Sequence, residues 1–149
     1  MKLFKLTASV CAVSAAFMFA ACDDSSSSAR SDDGKTDVSD CSVEGGVKVA
    51  SPKGGETFKV GETITVVFGS DMNFGGFGVE LRFNDGANKV NLLDGSIDDA
   101  VIDGKTCNEY KIVLDSDAGV EPADDAYIYI YPYSNQSKAG KSGTFKVTE

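Results

Sequence analysis

Three patterns of hydrophobic and polar positions follow one another along the chain. Residues 6–21, LTASVCAVSAAFMFAA, are almost entirely apolar, whereas residues 23–40, DDSSSSARSDDGKTDVSD, are almost entirely polar. From Cys41 onwards, short runs of Val, Ile, Thr, Phe and Tyr alternate with Gly, Asn and Asp. This division predicts a signal peptide over residues 1–21, a disordered tether over 22–40 and one folded domain over 41–149.

The third part has the pattern of an all-β domain. Its apolar runs are rich in β-branched and aromatic residues, none shows helical periodicity, and Asn84-Asp85-Gly86 is a tight-turn signal. Short strands at this spacing, with no helices between them, predict an antiparallel β-sandwich. The predicted strands are Val47–Ala50, Thr57–Val60, Thr63–Phe68, Phe77–Phe83, Lys89–Leu93, Glu109–Leu114, Ala126–Tyr131 and Thr144–Val147.

Several motifs of this domain point to a known kind of sandwich. Residues 49–58 and 60–66 read VASPKGGETF and VGETITV, residues 127–131 read YIYIY, and residues 142–147 read SGTFKV. These segments resemble the Ser-Thr-rich glycosylphosphatidylinositol-anchored membrane family, whose domains are related to fungal cell-wall glucan-synthesis proteins. The resemblance implies an immunoglobulin-like sandwich of about 7–8 strands and points Tyr127 into its core. It implies no particular activity, because a fold does not fix a function.

The N-terminal segment has the organisation of an export signal. Lys2 and Lys5 precede the apolar stretch, which ends in Phe19-Ala20-Ala21-Cys22. This ending resembles the lipobox of bacterial lipoproteins, in which the cysteine is diacylated on sulfur and the chain is cut just before it. Cys22 is therefore the predicted lipidation site. An ordinary secretory signal and a retained helix are the alternatives, although a spanning helix needs about 20 apolar residues.

The polar segment after Cys22 is predicted to be a flexible tether. It buries too little surface to offset its conformational entropy, and its root-mean-square span is about 25 Å. Asp23 and Asp24 resemble export signals of some surface lipoproteins, but also a retention signal for the inner membrane in enteric bacteria. We expect a lipid-anchored protein of the bacterial cell envelope, on the outer membrane or the cell surface.

Charge limits the kind of partner. The chain has 14 basic and 23 acidic residues and a net charge of −9. Removal of residues 1–21 would take away Lys2 and Lys5 and no acid, so the net charge would become −11. An acidic chain repels nucleic acid and anionic lipid headgroups, so neither is an expected partner.

The cysteines of the predicted mature domain form one pair. Cys41 and Cys107 remain after Cys11 leaves with the signal and Cys22 takes the lipid. An even pair in an exported domain predicts a disulfide. Two free thiols and a metal site remain alternatives, but a metal site needs more soft ligands than these two.

The chain lacks the usual residues of catalysis. It has no histidine, and Gly75-Gly76-Phe77-Gly78 is not followed by a predicted helix, so it is not a dinucleotide fingerprint. We expect no enzyme and no cofactor, although paired carboxylates and calcium stay as alternatives. The aspartates that could bind calcium, or simply form turns, are Asp94, Asp98, Asp99, Asp103, Asp115, Asp117, Asp124 and Asp125.

Two surfaces are candidates for ligand contact. The alternation of tyrosines with isoleucines and proline over residues 127–133 puts the tyrosines on one face of a strand and the isoleucines on the other. Tyr129, Tyr131 and Tyr133 are the candidate ligand-binding residues of this face. They are either covered by loops or exposed as a row that stacks on sugar rings or docks a protein. Met72 and Phe74, in the loop Gly69–Gly76, either cap the core or form a recognition tip.

These patterns favour a non-catalytic β-sandwich that binds a cell-wall or extracellular polysaccharide, or an envelope protein. The alternative is a structural spacer or subunit of an envelope complex. An outward row of Ile128 and Ile130 on an edge strand, where a partner strand could pair, would favour that alternative.

Overall fold

The computed structural model describes residues 39–72 and 75–149. The predicted signal peptide, the lipidation site Cys22, most of the tether and Phe74 lie outside the described residues. Within the described part, no helix is long and apolar enough to cross a membrane.

The described residues form nine strands and one short 3₁₀ helix, Gln136–Lys138. All eight predicted strands are present, and their ends shift by no more than three residues. The strands are β1 (Val47–Ser51), β2 (Thr57–Lys59), β3 (Thr63–Ser70), β4 (Phe77–Phe83), β5 (Asn88–Asn91), β6 (Asn108–Val113), β7 (Ala123–Pro132), β8 (Gly140–Lys141) and β9 (Phe145–Thr148).

These strands form two sheets, which confirms the all-β sandwich. The smaller sheet has the order β1-β3-β6, and the larger has the order β2-β9-β7-β4-β5, with β8 also paired to β7. Neighbouring strands are antiparallel, apart from β2 and β9, which run parallel with Thr57 opposite Lys146. The parallel pair brings the first strand of the larger sheet beside the last strand of the chain.

The core lies between the two sheets and is built by period-two alternation. In β3, Ile64, Val66 and Phe68 are almost fully buried while Thr63 and Thr65 are exposed. Each fully buried Val, Leu, Ile or Phe contributes about 1.5–3 kcal/mol through the apolar surface removed from water. The larger sheet supplies Phe77, Val79, Leu81, Phe83, Ala126, Ile128, Ile130, Phe145 and Val147 to the same core.

The turn between β4 and β5 is the one that the sequence predicts. Asn84 and Asp85 both have positive φ, near +55°, a region in which Asn, Asp and Gly are the favoured residues. The Asp125 carboxylate accepts hydrogen bonds from the backbone N–H groups of both residues, at 3.0 and 2.6 Å. These bonds lower the pKa of Asp125, because they favour its ionised form.

Cys41 and Cys107 are joined by a disulfide, as predicted, with their Cα atoms 5.3 Å apart. Cys41 is 1% exposed and lies before β1, while Cys107 immediately precedes β6. The bond therefore ties the beginning of the described domain to the residue just before β6, the last strand of the smaller sheet along the chain.

Candidate functional site: a tyrosine strip on the larger sheet

Three tyrosines on the outer face of β7 and one in the turn just after it, Tyr127, Tyr129, Tyr131 and Tyr133, form what we call the tyrosine strip. The alternating residues of β7 point the other way: Ala126, Ile128 and Ile130 are 0% exposed and lie in the core. Tyr127 therefore points outward, and the inward orientation implied by the family resemblance is wrong. The period of two and the burial of Ala126 leave Tyr127 no inward position.

The strip is neither covered nor fully open. Tyr127, Tyr129 and Tyr131 are half-buried, whereas Tyr133 is 46% exposed. The ring centroids of Tyr129 and Tyr131 are 5.9 Å apart, and those of Tyr131 and Tyr133 are 5.7 Å apart with the planes nearly perpendicular. Because adjacent rings support one another at these distances, the strip is a continuous aromatic surface.

An ion pair from the neighbouring strand fixes the middle of the strip. The Arg82 guanidinium lies 3.6 Å from the centroid of the Tyr129 ring and donates to Glu80 Oε2 from Nε at 2.9 Å, with Nη2 2.8 Å from the same oxygen. Burial acts to lower the pKa of Arg82, but the hydrogen bond and charge of Glu80 raise it. The cation therefore stays charged while it stacks on the ring.

Gly78 allows the Tyr131 ring to lie against the neighbouring strand. It pairs with Tyr131 across β4 and β7, and a Cβ atom at this position would lie 2.5 Å from Cζ of the Tyr131 ring. The missing side chain therefore lets the ring approach the backbone of β4. The pKa of Tyr131 is raised, first by burial and then by the nearby charge of Glu80.

A shallow depression of about 320 Å³ lies beside the strip. Its lining offers charged and amide groups for hydrogen bonds, together with one edge of an aromatic ring. The lining residues are Glu80, Arg82, Lys89, Asn91, Tyr131 and Gln136.

The chemistry of this face suits recognition. Aromatic rings provide flat apolar contact, and the groups around them donate and accept hydrogen bonds at fixed positions. Glu80, the acid in the lining of the depression, is held in an ion pair with Arg82.

The structure unites only some of the predicted ligand-binding residues. Tyr129, Tyr131 and Tyr133 form one surface, whereas the hydrogen bonds of Met72 go to Ser70, at the end of β3. Met72 is half-buried. Phe74, its predicted companion, lies outside the described residues.

The aspartate runs are occupied with local bonds. Asp103 accepts from Lys105 and Thr106, and Asp99 accepts from the Tyr110 hydroxyl at 2.7 Å. Asp124 pairs with Lys146 at 2.9 Å. No group of three or more metal-ligating side chains occurs in the part of the chain that the structure describes.

Sequence reasoning missed the polar half of the site, Glu80, Arg82, Lys89, Asn91 and Lys141. The signal was present in β4, where polar or small residues at 78, 80 and 82 alternate with apolar residues at 77, 79, 81 and 83. That alternation shows which residues share a face, but pairing of β4 with β7 was needed to place Arg82 on Tyr129.

Comparisons with known proteins do not identify the tyrosine strip as a site of known function. No protein-family model matches the chain, and no curated protein matches its sequence. The immunoglobulin-like resemblance therefore stays a prediction based on the quoted motifs.

Proposed function

We propose that the domain is a non-catalytic module that binds polysaccharide through the tyrosine strip. The observation that supports this most directly is the row of partly exposed rings formed by Tyr129, Tyr131 and Tyr133. Sugar rings have apolar C–H faces and polar hydroxyl edges. A surface that sets flat rings beside fixed donors and acceptors matches both features.

The strip also meets the physical requirements of a binding surface. Its side chains are held by contacts with one another and with β4, so little rotamer entropy is lost when a ligand binds. Tyr127, Tyr129 and Tyr131 lie on a paired strand in the larger sheet, which keeps their geometry fixed.

The test is binding of the full-length protein, in detergent, to an array of cell-wall and extracellular polysaccharides. We expect Tyr129→Ala and Tyr133→Ala to reduce binding by about tenfold or more. Val113→Ala is the control, since Val113 is 48% exposed on β6 of the other sheet. Binding that survives both tyrosine substitutions, or that goes only to an envelope protein, would reject the proposal.

The alternative function, a structural spacer or subunit of an envelope complex, gains no support from Ile128 and Ile130. Ile128 and Ile130 are 0% exposed, and β7 is flanked by β4 on one side and by β8 and β9 on the other. They are therefore unavailable for pairing with a partner strand.

We further propose that the module is immunoglobulin-like and is held at the bacterial envelope by acyl chains on Cys22. The lipobox-like sequence before Cys22 supports the anchor. The disulfide between Cys41 and Cys107 is in keeping with an oxidising compartment. Mass spectrometry of the mature N-terminus should find a diacylated cysteine, and protease treatment of intact cells should remove the domain. An unmodified N-terminus would contradict the anchor, and protection from protease would contradict surface exposure.

A further inference from the structure

Two lysines bracket the tyrosine strip without a carboxylate partner. Lys89 in β5 is paired with Arg82 in β4, and Lys141 in β8 is paired with Tyr129 in β7. Residues opposite each other in a ladder project to the same side of the sheet, so both lysines project from the outer face. Among the described residues, the side chain of neither lysine forms a hydrogen bond or an ion pair.

The charge of this face is opposite to that of the chain. Glu80 and Arg82 neutralise each other, which leaves Lys89 and Lys141 as a net positive charge in a chain of net charge −9. The two lysines are separated by three strand spacings, which is on the order of 14 Å. A polymer lying along the tyrosines would have an ammonium group on each side.

Acids lie near both ends of the strip, since Asp94 precedes Gly95, whose carbonyl accepts a hydrogen bond from the Tyr133 hydroxyl at the far end. Asp125 and Asp85 are at the β4–β5 turn, where the Asp125 carboxylate already accepts two backbone N–H groups. Tyr131 is six residues along the strand from Asp125, or roughly 20 Å. The Debye length at physiological salt is about 8 Å, so the charge of Asp125 is largely screened at Tyr131.

We propose that the strip selects an acidic polysaccharide, one whose sugars carry carboxylate or sulfate groups. Tyr129 and Tyr131 would contact the sugar faces, and Lys89 and Lys141 would bind the anionic substituents. This inference rests on the proposed polysaccharide binding, and adds the charge of the ligand.

The experiment compares charged and neutral forms of the same polymer. Full-length protein in detergent is titrated against immobilised polygalacturonate and its carboxyl-reduced form, and against dextran sulfate and dextran. We expect the charged member of at least one pair to bind about tenfold more tightly, and that binding to weaken as salt rises. A difference between polygalacturonate and its reduced form would identify a carboxylate as the preferred group. A difference between dextran sulfate and dextran would identify a sulfate.

The lysines are tested by neutral substitution. Lys89→Gln and Lys141→Gln should each weaken binding to the charged polymer by about two- to fivefold, and should flatten the salt dependence. Lys111→Gln is the matched control, because Lys111 is an exposed lysine on β6 of the other sheet and should have no effect.

The possible failures are distinct. Equal affinity for the charged and neutral polymers would overturn the charge preference and leave the polysaccharide proposal intact. Loss of binding in Lys111→Gln to the same degree as in Lys89→Gln would show a non-specific charge effect and overturn the assigned site. Absence of binding to all four polymers would overturn the acidic preference, and the array would then decide the wider proposal.

Discussion

The ring of Tyr131 lies against the backbone of Gly78 on the neighbouring strand, so close that a Cβ atom would lie 2.5 Å from ring atom Cζ. Gly78→Ala should therefore displace the Tyr131 ring and destabilise the domain by about 1–2 kcal/mol, since added volume at a packed position forces neighbours to move. Urea denaturation measures the stability, and polysaccharide binding should weaken at the same time.

Gly95→Ala is the control for that change. A Cβ atom at Gly95 would have no heavy atom within 4 Å, so stability and binding should stay as in the wild type. If Gly78→Ala is as stable as Gly95→Ala, the close approach of Tyr131 does not constrain the strip.

The contributions of Glu80 and Arg82 to the unfolding free energy should be strongly coupled. Arg82→Ala leaves the Glu80 carboxylate, whose side chain is 8% exposed, without its partner, and should cost about 2 kcal/mol. Replacing both residues by leucine should restore most of that loss. A double-mutant cycle followed by urea denaturation gives the interaction energy, and strictly additive effects would contradict the expected coupling.

The disulfide should supply a large part of the stability. Closing the loop between Cys41 and Cys107, separated by 66 positions, is worth about 4 kcal/mol in the chain-entropy model. Replacing both cysteines by alanine should lower the unfolding free energy by about that amount. A reducing agent should then destabilise the wild type but not the double variant; equal sensitivity would be inconsistent with this role.

Tyr110 should ionise later than an ordinary tyrosine. Burial, followed by the hydrogen bond to Asp99 and the charge of that carboxylate, raises its pKa to about 12. The fold favours the neutral phenol, so its contribution to stability is complete below pH 10 and is lost as the pH rises from 10 to about 12. Alkaline titration of phenolate absorbance should show a late component that Tyr110→Phe removes. A titration curve unchanged by Tyr110→Phe would contradict this assignment.

Much of the fold could be predicted from the local pattern. The eight predicted strands exist because β-branched and aromatic residues recur with a period of two and are separated by turn residues such as Asn84-Asp85-Gly86. The sequence also predicted the Cys41–Cys107 bond, since only these cysteines remain in the domain.

The remaining features depend on long-range pairing. The two-residue strand β8 has no pattern of its own and exists because Gly140 and Lys141 meet β7. The contact of Arg82 with Tyr129 likewise depends on how β4 aligns with β7, a register that local alternation does not specify. The orientation of Tyr127 was wrong for a related reason, because it was taken from resemblance instead of from its neighbours in β7.

The position of the disulfide also determines how the domain carries mechanical load. A pull on the chain before Cys41 passes through the sulfur bridge to Cys107 and directly into β6. Strands β1–β5 lie inside the covalent loop, so such a pull cannot draw them out while the bridge is intact. Tension between an envelope and a polymer held on β7 would cross only the short stretch of chain that begins at β6.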